Sequence, residues 1–126
     1  MKMRVLLIEP EKAPVVTEID SSLEAMQAAV GGYIQAVYPF DDPVAVVCNE
    51  EGKMLGLPLN RALYLDDGKT MYDIISGPFL VCGLGEGDFC SLSDELIQKY
   101  TECLAMPEMF LELNGQIIAV PVKHVD

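Results

Sequence analysis

The chain of 126 residues has no tryptophan, one histidine, His124, and only eight basic side chains against twenty acidic ones. Each shortage closes a class of function. A Ser-His-Asp triad or a Cys-His dyad would have to be built on His124 alone, two residues from the end, so hydrolase chemistry of those kinds is not expected. Gripping phosphates takes a stripe of lysine and arginine that releases counterions. Here the bases stand singly among acids, at 2, 4, 12, 53, 61, 69, 99 and 123, and direct nucleic-acid binding is not expected. The longest apolar runs hold a few residues, as in Val5-Leu6-Leu7-Ile8, against the roughly 20 that a membrane-spanning helix needs. With no cleavable apolar segment after Met1-Lys2-Met3-Arg4, the expectation is a cytoplasmic protein with no membrane contact.

Metal and redox motifs are missing too. Cys48, Cys82, Cys90 and Cys103 form no Cys-x-x-Cys pair, so neither a zinc site nor a thiol-exchange motif is expected. In a reducing compartment all four read as free thiols, and Cys48 and Cys82 lie inside apolar runs as small hydrophobes. The acidic groups Asp41-Asp42, Glu50-Glu51, Asp66-Asp67 and Glu86 with Asp88 lack the alternating register of a calcium loop and read as solvated turns. No catalytic residue, cofactor site or metal site is therefore expected, and the chain reads as a non-enzyme.

What the sequence does have is acid. A net charge of −12 exceeds what a small domain needs to stay soluble. Residues 64–126 hold eleven acids and three bases, so most of the excess lies in the C-terminal half. Apolar residues make up 51% of the chain, enough for one ordinary domain with a buried core.

Patterning predicts an α+β fold, a single compact domain over 1–126 with a mainly antiparallel sheet and two helices. Met3–Glu9 and Val15–Ile19 read as a hairpin closed through Pro10–Pro14. Asp20, Ser21 and Ser22 offer an N-cap for a helix at about 21–31, and Gly31-Gly32 stops it. Tyr33–Phe40 and Val44–Asn49 read as central strands, the second returning through Asn49–Lys53 as Met54–Leu57. Residues 58–63 read as a helical turn or irregular segment. Tyr72–Gly85 reads as one strand bulged at Gly77-Pro78. A helix follows at about 93–104, capped by Ser93, and Asn114-Gly115 marks a closing hairpin between Met109–Leu113 and Gln116–Val122.

Three features carry the site expectations. Gly83-Leu84-Gly85-Glu86-Gly87-Asp88 follows a strand as a phosphate loop does. Its two carboxylates would repel a phosphate, and five residues, Asp88 to Leu92, stand between its last glycine and the helix cap, so it reads as a structural turn. Asn60-Arg61, set among Leu57, Leu59 and Leu63, reads as a loop anchor or a ligand-facing pair. Glu86, Asp88, Asp94, Glu95 and Glu102 read as a solvated acidic interaction patch, since the helical acids fall off the Leu96-Ile97-Tyr100-Leu104 face. Tyr33, Tyr38, Phe40, Tyr64, Phe79 and Phe89 are the aromatic residues available to an interface or to the core.

Several blocks agree in order with one family. Val-Gly-Gly-Tyr-Ile-Gln-Ala-Val-Tyr-Pro-Phe at 30–40, Cys-Asn-Glu-Glu-Gly-Lys at 48–53, Leu-Pro-Leu-Asn-Arg-Ala-Leu at 57–63 and Asp-Ile-Ile-Ser-Gly-Pro-Phe at 73–79 resemble the bacterial family catalogued as domain of unknown function number 3846. Residues 83–92 and Pro-Glu-Met-Phe at 107–110 fit the same pattern, so the resemblance covers nearly the whole chain. It implies a setting in gut Firmicutes, phages and conjugative elements, and it implies no activity, cofactor or catalytic residue.

The functional expectation is an acidic intracellular accessory protein of mobile genetic elements, a non-enzymatic module that binds a protein partner, a basic one fitting its charge. One alternative is an acidic DNA mimic that occupies the basic groove of a restriction or CRISPR nuclease. A sphere of this mass is about 36 Å across, a length over which duplex DNA carries roughly 21 charges, so −12 supplies about half the density. Another alternative is a small-molecule-binding domain with its pocket near Arg61 or the glycine loop. Monomer and small homo-oligomer are both compatible with the sequence.

Overall fold

A computed structural model describes residues 1–122. Its central element is an antiparallel sheet in which strand order differs from chain order. Strand β1 (Lys2–Ile8) pairs with β2 (Val15–Asp20), and the turn between them holds Glu11 at a positive φ of 67°. Helix α1 (Leu23–Val30) follows directly. The Ser22 hydroxyl accepts from the Ala25 N–H at 3.2 Å, and Gly31, at φ 80°, ends the helix by donating to the Gln27 carbonyl. Strands β3 (Ile34–Val37) and β4 (Val44–Asn49) form the next pair. The chain then leaves the sheet for a separate ribbon of β5 (Leu59–Tyr64) and β6 (Met71–Ser76), and returns as β7 (Phe79–Leu84). Strand β7 inserts between β1 and β4, giving the order β2-β1-β7-β4-β3, and the short β8 (Phe89–Cys90) turns back on its end. Helix α2 (Asp94–Cys103) and a hairpin of β9 (Glu108–Leu113) and β10 (Gln116–Pro121) complete the described chain.

The period of two along each strand divides the core between the two faces of the sheet. Leu6, Ile8, Val44, Val46, Phe79 and Val81 point to one face, where Ile97 and Tyr100 of α2, Leu104 at its C-cap, and Leu63 and Ile75 of the ribbon cover them. Met3, Val5, Ala45, Val47, Leu80 and Cys82 point to the other, against Met26 of α1. Burial on both sides is why β4 and β7 read as unbroken apolar runs rather than alternating ones. The result is the expected α+β domain with mainly antiparallel pairing and two helices. No helix among the described residues is long and apolar enough to cross a membrane.

Four local expectations are corrected. Met54–Leu57 is not a returning strand, because residues 50–56 form successive turns, with Gly56 in the left-handed region at φ 70°. Gly52 is buried against the ribbon, where a Cβ would stand 2.7 Å from the Ser76 carbonyl. Residues 59–64 are strand, not irregular. The stretch from Tyr72 is two strands in two different sheets, since Gly77, at φ 82°, swings the chain from the ribbon into the central sheet. The third strand covers only Ile34–Val37, and β8 has no counterpart in the sequence reading.

Candidate functional site

The residues that converge on one place are the end of β5, the middle and end of α2, and the first residue of β9. Asn60 and Arg61 are among the few buried polar side chains, 0% and 1% exposed. Asn60 donates through Nδ2 to the carbonyls of Ile8 and Gly77, both at 2.9 Å, tying β5 to β1 and to the crossing point between β6 and β7. Arg61 has five N–H donors and all five have carbonyl oxygens in reach. Nε donates to Leu104 at 3.3 Å, Nη1 to the main-chain and side-chain oxygens of Asn60 at 3.3 and 2.9 Å, and Nη2 to Lys12 at 2.6 Å and Leu104 at 3.2 Å. The guanidinium thus joins the β1–β2 turn, β5 and the C-terminal end of α2, and no donor is left over for a ligand. Burial lowers its affinity for its proton, and the nearby Glu108 charge opposes that loss.

Beside this knot a cavity of about 390 Å³ opens between β5, α2 and the foot of the C-terminal hairpin. Phe40, Tyr64, Leu65 and Met106 supply apolar wall, and Asp66 and Glu108 supply carboxylates. Glu108 accepts the Ala62 N–H at 2.6 Å through one oxygen, an arrangement that holds β9 against β5. Burial pushes its carboxyl above the usual glutamate value, against the pull of the Ala62 N–H and the Arg61 charge. On the α2 side, one Asp42 oxygen accepts both the Lys99 ammonium at 2.6 Å and the Tyr100 hydroxyl at 2.7 Å. Those two bonds, the lysine's first, hold the Asp42 carboxyl below the ordinary aspartate value. Burial and then the aspartate raise the Tyr100 phenol. The Phe40 and Tyr100 rings lie 4.9 Å apart, and Lys99 Nζ stands 5.5 Å from the Tyr100 centroid. Sequence reasoning missed Glu108, Asp42 and Tyr100 as a group. Their partners lie 46 to 58 positions away, and no local spacing records that.

The expected acidic residues are all exposed, and they come from one turn and one helix. Glu86 and Asp88 sit in the β7–β8 turn, where Gly85 donates to the Asp88 carbonyl at 2.9 Å and Asp88 caps the Phe89 N–H at 2.8 Å. That turn is the glycine loop, folded on itself. Asp94 and Glu95 open α2, with Asp94 paired to Arg4 at 3.0 Å, and Glu102 lies in its last turn. The doublets mostly serve turns: Asp66 accepts the Asp41 N–H, and Asp67 accepts from Lys69 and Thr70. Among the described residues no three His, Cys, Asp or Glu side chains come together as a metal group. Of the aromatics, Tyr33 and Tyr38 are exposed, Phe79 is buried, and Phe40, Tyr64 and Phe89 are half-buried. His124 lies outside the described residues.

The hairpin adds a surface that the sequence reading did not single out. Its register places Met109 opposite Val120, Leu111 opposite Ile118 and Leu113 opposite Gln116 on one side. Glu108, Phe110, Glu112, Ile117, Ala119 and Pro121 share the other. That second side turns toward the body, where Phe110 and Ala119 are half-buried and Ile117 faces a groove with Leu57, Leu59 and Ile74. The first side carries no charge, and Met109, Leu111, Leu113 and Ile118 are 51%, 44%, 55% and 40% exposed.

No curated protein and no solved structure matches the chain. A family model, described as domain of unknown function (DUF3846), matches residues 3–105, which take in both layers of the core, the Asn60-Arg61 knot and most of the cavity wall, and the chain belongs to that family.

Proposed function

We propose that this protein is a non-enzymatic docking module that binds a partner protein through the uncharged side of its C-terminal hairpin. The observation that carries the reading is the row of Met109, Leu111, Leu113 and Ile118, neighbours across two paired strands and each about half exposed. Apolar residues exposed side by side, unlike ones scattered singly, mark interaction sites when the patch they form exceeds a few hundred Å². Net charge supports the choice of occupant. Two copies at −12 repel one another, whereas a partner whose apolar patch is ringed by lysine and arginine gains from the same field. The phage and conjugative-element setting implied by the family resemblance makes host and element-encoded proteins the pool from which such a partner is drawn.

The test compares the wild-type protein with a Leu111→Thr/Ile118→Thr variant, which leaves charge and strand propensity unchanged. Both are used to capture proteins from a host lysate, with quantitative mass spectrometry and sedimentation of the free proteins alongside. The expected result is a basic protein retained by the wild type and lost by the variant. Identical capture by both, or a wild-type homodimer that the substitutions dissociate, would overturn it.

A further inference from the structure

We propose that the cavity at the foot of the hairpin is a binding site for a guanidinium group carried on an aliphatic stem, with Glu108 and Asp66 as its acceptors. The site stands whether or not the hairpin docks a partner. Its volume of about 390 Å³ lies at the lower end of the range for ligand pockets, roughly 300–1,000 Å³, which suits a side chain or a small amine better than a nucleotide.

The cavity has unengaged carboxylate oxygens, and its cations already have acceptors. Of its two cations, Arg61 has every N–H engaged by carbonyl oxygens, and Lys99 is drawn to Asp42. Its two carboxylates are each half engaged: among the described residues, Glu108 takes one N–H from Ala62 and Asp66 one from Asp41, each through a single oxygen. An anion would meet those free oxygens and be repelled. Two carboxylates fall well short of the six to eight oxygens that calcium takes. A cation restores to Glu108 the solvation that burial removed, through a charge-assisted bond. A guanidinium suits the walls better than an ammonium, because its planar fork hydrogen-bonds carboxylates at its edge while its face lies against an aromatic ring. Phe40 and Tyr64, both half-buried, supply rings, and Lys99 standing 5.5 Å from the centroid of the buried Tyr100 shows a cation already resting near an aromatic face here. Leu65 and Met106 line the path for the stem.

The experiment titrates the full-length, nitrogen-15-labelled protein with N-acetyl-arginine methylamide and follows the amide resonances. Saturable shifts confined to Tyr64, Leu65, Cys103, Met106 and Glu108 are expected. The citrulline analogue has the same shape without the charge and should bind roughly tenfold more weakly, the loss of one charge-assisted hydrogen bond. Glu108→Gln, which can still accept the Ala62 N–H, should weaken the arginine probe by a similar factor. Agmatine serves as the arm without a polypeptide backbone. Tighter binding of agmatine points to a free amine as the natural ligand, and tighter binding of the blocked arginine to an arginine within a polypeptide. Equal affinity for the arginine and citrulline probes, or shifts scattered over the acidic surface, would overturn the proposal. The comparison of probes on the unaltered protein holds even if the variant fails to fold.

Discussion

Arg61 shows how an arginine can be buried with no carboxylate in direct contact among the described residues: the cost of taking its charge out of water is met by five hydrogen bonds to four carbonyl oxygens placed around one planar fork. A lysine has one nitrogen and cannot reach Lys12, Asn60 and Leu104 together. Arg61→Lys is therefore expected to lower unfolding free energy by about 2–3 kcal/mol, as carbonyls from three segments lose their partner. Urea denaturation measures this, and a loss under about 0.5 kcal/mol would mean that water replaces the fork without strain. The carboxyl groups on either side of the cavity work in opposite directions with pH. Asp42, held below its ordinary value of 3.8, gives stability that is complete above that value and lost as pH falls through the folded one. The advantage of the wild type over Asp42→Asn should shrink below about pH 4. Glu108, raised above its ordinary 4.5, gives stability that is present at low pH and lost as pH rises through its folded value. Glu108→Gln is thus expected to be more stable than the wild type at pH 7 and indistinguishable from it well below pH 4.5. Denaturation series at stepped pH test both, and a Glu108→Gln protein less stable at pH 7 would contradict burial as the dominant cause.

Among the elements, those with a local chemical cause were legible. Ser22 and Ser93 cap their helices through Ala25 and Leu96, and Asn114 and Gly115, at φ 51° and 80°, turn the last hairpin as their sequence predicts. What local chemistry does not encode is the layer an element joins. Strand β5 was not legible because Asn60-Arg61 breaks its apolar pattern, and only the distant carbonyls of Ile8, Lys12 and Leu104 make such a pair burial-compatible. The split between β6 and β7 hides in a continuous run for a related reason: both halves are buried, but against different sheets. The cavity follows from those two placements, so it was no more legible than they were. Glycine positions separate local from tertiary demands. A Cβ on Gly83 would stand 2.5 Å from the Ser91 carbonyl and 3.2 Å from that of Cys90, so Gly83→Ala must push β7 from the chain around β8. A loss of about 1–3 kcal/mol is expected. Gly87, at φ 76° with open space around it, should lose only about 1 kcal/mol on replacement by alanine, from backbone strain alone. Thermal or urea unfolding that ranks the two the other way would refute the close approach of β7 to Ser91.

At the scale of the whole molecule, the few bases do not offset the acid where it is densest. Arg4, Lys12, Lys53 and Lys99 each face one carboxylate, at Asp94, Glu9, Asp73 and Asp42, and Arg61 is buried. Glu86, Asp88, Glu95 and Glu102 have no salt-bridge partner among the described residues. Glu95 and Glu102, seven positions apart, lie on one side of α2 about 10 Å from each other, within reach of a single basic surface. Charge of this kind acts over distance and is screened over a Debye length of about 8 Å at physiological ionic strength, so it governs encounter. The apolar side of the hairpin acts only on contact, so it governs residence. The two surfaces of the proposed docking module should therefore separate in kinetics. Added salt and the reversals Glu95→Lys/Glu102→Lys are expected to slow association with the captured partner more than they speed dissociation. Leu111→Thr/Ile118→Thr should speed dissociation and leave the salt dependence of association unchanged. Surface plasmon resonance at stepped salt concentrations resolves both rates for each variant. An association rate indifferent to salt and to the reversals would leave the acidic surface with solubility as its role and the hairpin as the sole determinant of binding.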